Sequence, residues 1–140
     1  MTGRSVVSWC LRRPGVTDGY PFGPDTRVFK VGGKMFAACP RGTSPNRINL
    51  KSEPATALRL RREHAGITPG YHMNKAHWNT VQLDGRIPRE VLKQMLEASY
   101  RLVVDSLPAA QRRALNGAGS RRSGRAAAGA LLRIMSGDAS

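Results

Sequence analysis

Residues 71–85, YHMNKAHWNTVQLDG, hold two histidines, a lysine, two asparagines and a tryptophan. Side chains of these types, this close together, serve three chemistries: ligating a metal, moving a proton in hydrolysis, or contacting a polyanion. A metal would draw on His64, His72, His77, Cys10 and Cys39. His72 and His77 stand five apart, which suits neither one face of a helix nor a zinc-hairpin pattern. Hydrolysis needs a nucleophile, a base and an orienting acid. His72 or His77 can serve as the base, with a serine or cysteine as nucleophile. The chain nevertheless has no GxSxG elbow, no HExxH and no paired-carboxylate spacing, and only 9 Asp+Glu in all. GGK at 32–34 lacks the upstream glycine and the following Ser/Thr of a phosphate loop. The expectation is a protein that is not an enzyme, with no catalytic, cofactor-binding or metal-binding residues.

The third chemistry fits the charge. The 140 residues carry 23 Lys+Arg against 9 Asp+Glu, a formal +14 with a pI near 11.4. Residues 1–110 hold 17 of the basic residues and 8 of the acidic ones, so the excess is not confined to the C-terminal end. Such a balance favours polyanionic partners, since Lys and Arg neutralise phosphates and release counterions without reading bases. Lys30, Lys34, Arg47, Lys51 and Lys75 are the phosphate candidates. Asn74 and His77 add polar contacts. Trp78 is open to two roles, base stacking or bracing the loop before it. Two other classes compete: a protein-interaction or chaperone-like adaptor, and a small-molecule site formed by Tyr71, His72, His77 and Trp78.

These residues need elements to position them. A short helix over 3–13 is predicted from Thr2 as N-cap and Pro14-Gly15 as stop, with Val7, Cys10 and Leu11 on its buried stripe. Residues 19–25, GYPFGPD, form a turn-rich aromatic stretch that two prolines hold out of helix. RVFKVGGKMFAAC at 27–39 reads as a β-hairpin around a Gly32-Gly33 type I′ turn. That register sets Val31 opposite Lys34, Lys30 opposite Met35, and Phe29 opposite Phe36, with Lys30 on the face away from the phenylalanines. RINLK at 47–51 alternates as a strand, with Ile48 and Leu50 inward.

Ser52 is expected to cap a helix to about His64 that buries Ala55 and Leu58 and exposes Arg59, Arg61 and Arg62. WNTVQL at 78–83 follows as a strand, with Asn79, Val81 and Leu83 inward and Trp78, Thr80 and Gln82 on the other side. The longest helix runs over about 88–106, with a stripe of Val91, Leu92, Met95, Leu96, Ser99, Leu102 and Val103, and stops at Pro108. Residues 1–110 are read as one domain and 111–140 as a flexible basic Ala/Gly/Arg-rich tail. The fold class is α+β, two layers, an antiparallel sheet packed by helices on one face.

The blocks YPFGPDTRVFKVGGKMFA (20–37), INLK (48–51), GITPGYHMNKAHWNTV (66–81) and LDG before IP (83–88) resemble the MmcQ/YjbR family over residues 1–107. The resemblance implies a CyaY-like α+β domain and a DNA-binding role with a double-wing arrangement. On this chain the wings would be the 27–39 hairpin and the region leading into 78–83. The chain departs from the family pattern in its Arg/Ala-rich tail and in CPRGTSPNR (39–47). A frataxin-type iron role, suggested by the related fold, would want an acidic ridge, and the charge here is basic. The combined expectation is DNA binding, with RNA as the alternative, driven by backbone contacts through a basic sheet and hairpin surface. The apolar run at the N-terminus is too short for a signal peptide, and no stretch approaches a membrane span. A cytoplasmic protein without membrane contact, monomeric in the first instance, is expected.

Overall fold

The computed structural model describes residues 1–71 and 73–116. In chain order the elements are α1 (Gly3–Leu11), β1 (Val16–Gly19), β2 (Thr26–Val31), β3 (Lys34–Pro40), β4 (Arg47–Lys51), α2 (Pro54–Glu63), β5 (Ile67–Pro69), β6 (Trp78–Gln82) and α3 (Arg89–Asp105). Residues 109–116 are helical again. The strands form one antiparallel sheet in the order β1-β2-β3-β4-β6-β5. Helices α1, α2 and α3 lie on one face: α3 against β2, β3 and β4, α2 against β5 and β6, and α1 against β1. This is the α+β, two-layer arrangement expected. The core between the layers joins Val6, Cys10, Phe29, Phe36, Ile48, Leu50, Val81, Leu92, Leu96 and Val103.

Local chemistry explains most of the boundaries. Thr2 and Ser5 form a capping box at α1: the Ser5 N–H donates to Thr2 Oγ1 (3.1 Å) and the Thr2 N–H to Ser5 Oγ (2.8 Å). Val6, Val7, Trp9 and Cys10 are buried, whereas Leu11 is exposed, contrary to the expected stripe. Leu11 is the last helical residue, where the chain turns away from the sheet. Trp9 takes up its share of the contact, with the Arg13 guanidinium 4.3 Å from the ring centre.

Gly32 and Gly33 adopt φ of 58° and 79°, as the predicted type I′ turn requires. Val31 pairs with Lys34 and Lys30 with Met35, but a β-bulge then sets Phe29 opposite Ala37 rather than Phe36. The extra residue, Phe36, still meets Phe29 at 6.5 Å between ring centres and packs edge-on against Tyr100 at 5.4 Å. Beyond the Ala37–Leu50 pair the β3–β4 ladder is not closed directly. Ser99 on α3, fully buried, spans the gap. Its hydroxyl donates to the Phe36 C=O and accepts from the Lys51 N–H at 2.9 Å.

The second helix differs from its prediction. Glu53, not Ser52, is the N-cap, and Pro54 occupies the first turn. The Ser52 N–H is committed instead to the His77 C=O at 2.8 Å. Against the sheet this helix buries Ala57 and Leu60, while Ala55 and Leu58, expected inward, are exposed. Of the expected α3 stripe, Leu92, Met95, Leu96, Ser99 and Val103 are buried and Val104 joins them, while Val91 and Leu102 are half-buried. Strands β1 and β5, four and three residues long, are the two edges of the sheet and had no alternating signal to announce them.

Leu115 packs against the core, and a Cβ on Gly32 would lie 2.6 Å from Leu107 Cδ2. The boundary expected at 110 therefore falls inside the 109–116 helix. The rest of the expected tail, 117–140, lies outside the described residues. Cys10 and Cys39 are both free and buried. Burial pushes the Cys10 thiol up to about 12 and the Cys39 thiol up to about 11.

Candidate nucleic-acid interface

A sheet covered by helices on one side leaves its other side to do something else. Register defines that outward face by strand alternation. It carries Thr17 and Gly19 on β1, Thr26, Val28 and Lys30 on β2, Met35, Ala38 and Pro40 on β3, Arg47, Asn49 and Lys51 on β4, Thr68 on β5, and Trp78, Thr80 and Gln82 on β6. Its charged side chains are Lys30, Arg47 and Lys51, and no carboxylate is among them. The one acidic residue on the described strands, Asp18, is in register with Phe29 on the helical side and pairs with Arg27 at 2.8 Å. The middle of the face is short and buried, with Val28 and Ala38 side by side. The cations therefore fall at its two ends. Lys30 and Lys51 lie at one end, and Arg47 lies about 13 Å away, four residues along β4 at about 3.3 Å each.

Lys34 is not part of this face. It is in register with Val31 on the helical side, and its Nζ lies 3.3 Å from Ser106 Oγ at the C-terminal cap of α3. A cation there meets the negative end of the helix dipole. The hairpin tip, packed at Gly32 against Leu107 and near Gln111, is docked on the helical layer rather than projecting as a free wing.

The stretch that opened the question, 71–78, arches over the β4–β6 part of the outward face. The Tyr71 N–H donates to Thr80 Oγ1 (2.9 Å), Asn49 Nδ2 donates to the Tyr71 C=O (3.4 Å), and the Thr80 hydroxyl donates to Asn49 Oδ1 (2.5 Å). Two strand side chains thus pin the loop down. From the other side Arg61 of α2 clasps it. Arg61 Nε donates to Asn79 Oδ1 at 2.7 Å, and its Nη2 reaches the C=O of Lys75 and, at 3.4 Å, of Trp78. Sequence periodicity had placed Arg61 on the exposed face of its helix. The fork is partly buried because Asn79, on the inward face of β6, needs a donor.

Within the loop, Asn74 Oδ1 accepts from the Ala76 N–H (2.9 Å) and the Asn74 C=O from the His77 N–H (3.2 Å), a local turn that accounts for this asparagine. Lys75 is exposed, its Nζ 3.3 Å from the Gly70 C=O. His77 has an exposed ring, while its backbone carries the bond to Ser52. Trp78 is only 7% exposed and its C=O accepts from the Gly70 N–H at 2.8 Å, so it braces the loop. His72 lies outside the described residues. The structure thus places Lys30, Arg47 and Lys51 on the outward face, where Trp78 stands beside Lys51 but is buried. It holds the 74–77 segment at the entry to β6 in the grip of Arg61, and puts Lys34 on the helical side. Sequence reasoning missed Tyr20, Phe22 and Arg41 as surface features. The signal was an aromatic beside Pro and Gly in a turn, where no core is at hand to bury it.

Among the described residues the ion pairs are Arg27–Asp18, Arg59–Glu63 and Arg86–Asp84, and none takes up Lys30, Arg47, Lys51 or Lys75. No group of three or more His, Cys, Asp or Glu among them could hold a metal. A cavity of about 260 Å³ opens between α2 and α3, lined by Arg59, Leu60, His64, Gln94 and Met95 among others, on the helical side. Tyr71, His77 and Trp78 do not line it. No helix among the described residues is long and apolar enough to cross a membrane.

The geometry has counterparts in other proteins. A crystal structure of the Deinococcus radiodurans protein DR2400 superposes with a TM-score of 0.69 at 39% identity, covering 80% of this chain and 83% of that one. A Pseudomonas syringae protein superposes with a TM-score of 0.62 at 27% identity, over 74% of this chain and 99% of its own. In sequence, YbdF of Escherichia coli O157:H7 is 41% identical over 97 residues, 69% of this chain and 80% of that protein. YjbR of Escherichia coli K12 is 32% identical over 115 residues, 82% of this chain and 98% of that protein. The YjbR family model matches residues 11–102, which run from the end of α1 through most of α3. The chain belongs to the YjbR family.

Proposed function

We propose that this protein binds nucleic acid, DNA in the first instance, through the outward face of its sheet. The observation that carries the reading is the charge on that face: Lys30, Arg47 and Lys51 stand on it with no carboxylate at any of its strand positions. The eight acidic residues among the described ones lie elsewhere, on helices, turns and the helical side of β1. A diffuse Arg-rich surface would intersperse both signs, as soluble surfaces do. Lys75, exposed on the loop that enters β6 beside Lys51, adds a further cation at the rim of the face. Affinity would come from phosphate neutralisation, with Asn49, Thr80 and Gln82 supplying neutral hydrogen-bonding groups nearby. Lys34 is left out of the contact set because it serves the cap of α3, and Trp78 because it is buried.

Fluorescence anisotropy on labelled DNA across a salt series tests the proposal. Binding should weaken as salt rises, and the triple substitution Lys30→Gln, Arg47→Gln, Lys51→Gln should reduce the slope of log K against log salt by about 2–3. No binding at low salt, or affinity indifferent to salt, rejects it.

A further inference from the structure

We infer that the strand taken by this face is unpaired: the site is built for single-stranded nucleic acid rather than duplex. This rests on the nucleic-acid reading above and narrows it.

Of the eight Phe, Tyr and Trp residues, three are exposed: Tyr20 at 41%, Phe22 at 69% and Tyr71 at 57%. Tyr20 and Phe22 lie at one end of the sheet, where β1 ends and β2 begins. Tyr71, leaving β5 at the opposite end, lies over β4 and β6 with its ring turned toward that first end beside Arg47, at the start of β4. Two arginines share that end. The Arg41 guanidinium lies 5.3 Å from the centre of the Tyr20 ring and the Arg47 guanidinium 5.6 Å from that of Tyr71. Tyr71 is held over the outward face by its backbone bonds to Thr80 and Asn49. Exposed rings interleaved with arginines are what a base-stacking platform requires, because every unpaired base offers a π-face and each phosphate a partner for the guanidinium. A duplex hides those faces inside its own stack, so against duplex the rings would have nothing to meet.

The hairpin points the same way. An element that reads a duplex groove must project, and the Gly32-Gly33 tip is instead seated on Leu107, with Lys34 held at Ser106. What remains on the outward side is a path with Lys30 and Lys51 at one end and the arginine-flanked rings at the other. A flexible strand can lay phosphates on the first and bases on the second.

The test uses the full chain and three labelled probes of about 20 nucleotides, longer than one such binding site: oligo-dT, oligo-rU and a mixed-sequence DNA duplex. At matched ionic strength, at least one single strand should bind about tenfold or more tighter than duplex, and comparison of oligo-dT with oligo-rU distinguishes DNA from RNA as the source. Phe22→Ala and Tyr71→Ala should each weaken single-strand binding by about 5- to 150-fold while leaving duplex affinity and the salt slope unchanged. Tyr71→Trp should restore binding. Both side chains are exposed, and thermal melts should show the variants folded. Duplex binding as tight as single-strand binding, or single-strand affinity untouched by both alanine substitutions, overturns this inference but leaves the phosphate-binding face standing. Failure of all three probes to bind at low salt overturns both.

Discussion

Ser99→Ala isolates one hydroxyl in the middle of the fold. Ser99 is fully buried on α3, and its oxygen closes the step of the β3–β4 ladder that the bulge at Phe36 leaves open. Alanine fits the space without a clash but orphans two backbone groups, the Phe36 C=O and the Lys51 N–H. Each buried unsatisfied group costs about 1–3 kcal/mol. Alanine returns about 0.5 kcal/mol through its better helix propensity. The net loss should be about 2–4 kcal/mol, and a chain of this size should melt about 10 °C lower. Urea denaturation followed by tryptophan fluorescence should show a lower midpoint with an unchanged m-value. The Lys51 amide should lose its hydrogen-exchange protection ahead of its neighbours. Ser106→Ala, which removes an exposed hydroxyl whose bonds water can replace, serves as the control and should cost about 1 kcal/mol or less. A loss below about 1 kcal/mol in Ser99→Ala, with the Lys51 amide still protected, would refute the bridging role.

Arg61→Ala should leave Asn79 Oδ1 without its donor and release the 71–78 loop, costing about 2–3 kcal/mol in urea denaturation. It should also weaken nucleic-acid binding without any contact of its own, and wild-type stability in this variant would show that Arg61 does not hold the loop. The buried thiols predict a pH response. Below about 8.5, where a thiol of the unfolded chain begins to ionise, folded and unfolded states hold the same protons and pH has no effect through these groups. Above that value the unfolded chain sheds protons that the fold retains, because Cys10 and Cys39 are raised to about 12 and about 11. Stability should then fall with rising pH by about 1.4 kcal/mol per unit per thiol, and the Cys10→Ala, Cys39→Ala double variant should show a shallower decline. Equal slopes in the two proteins between pH 9 and pH 10.5 would count against the assignment. In native protein at pH 8, alkylation of either cysteine should require unfolding.

What could be read from the sequence followed from periodicity and turn chemistry. Gly32-Gly33 announced the hairpin and its first two pairs, and the stripe of α3 announced the helical layer. The bulge was invisible because it depends on Ser99 arriving from sixty-three residues away to take up the freed carbonyl. The start of the helix at 54–63 was misplaced because Ser52 is a good capping residue in isolation, and only the partner strand offers its N–H the His77 carbonyl. Arg61 was read as solvated for the same reason: Asn79, its partner, is eighteen residues away. Of the eight residues proposed to contact nucleic acid, alternation along β2 and β4 correctly put Lys30, Arg47 and Lys51 on the outward face. It could not tell that Lys34 would find a helix terminus. Nor could it tell that the loop after β5 would fold back over the face and turn the Tyr71 ring to Arg47.

The two edges of the sheet bear on how this protein behaves in a crowd. An exposed strand edge is a template on which another chain can add itself, and long flat edges invite aggregation. Here β5 is three residues long and ends on Pro69, which has no N–H to offer. The other edge, β1, is four residues long and carries Asp18 and Gly19. Neither presents enough unpaired backbone for a stable fourth-party strand to dock. Extension into a continuous sheet is closed off at both ends, so copies of the molecule at high local density have no edge along which to zip together.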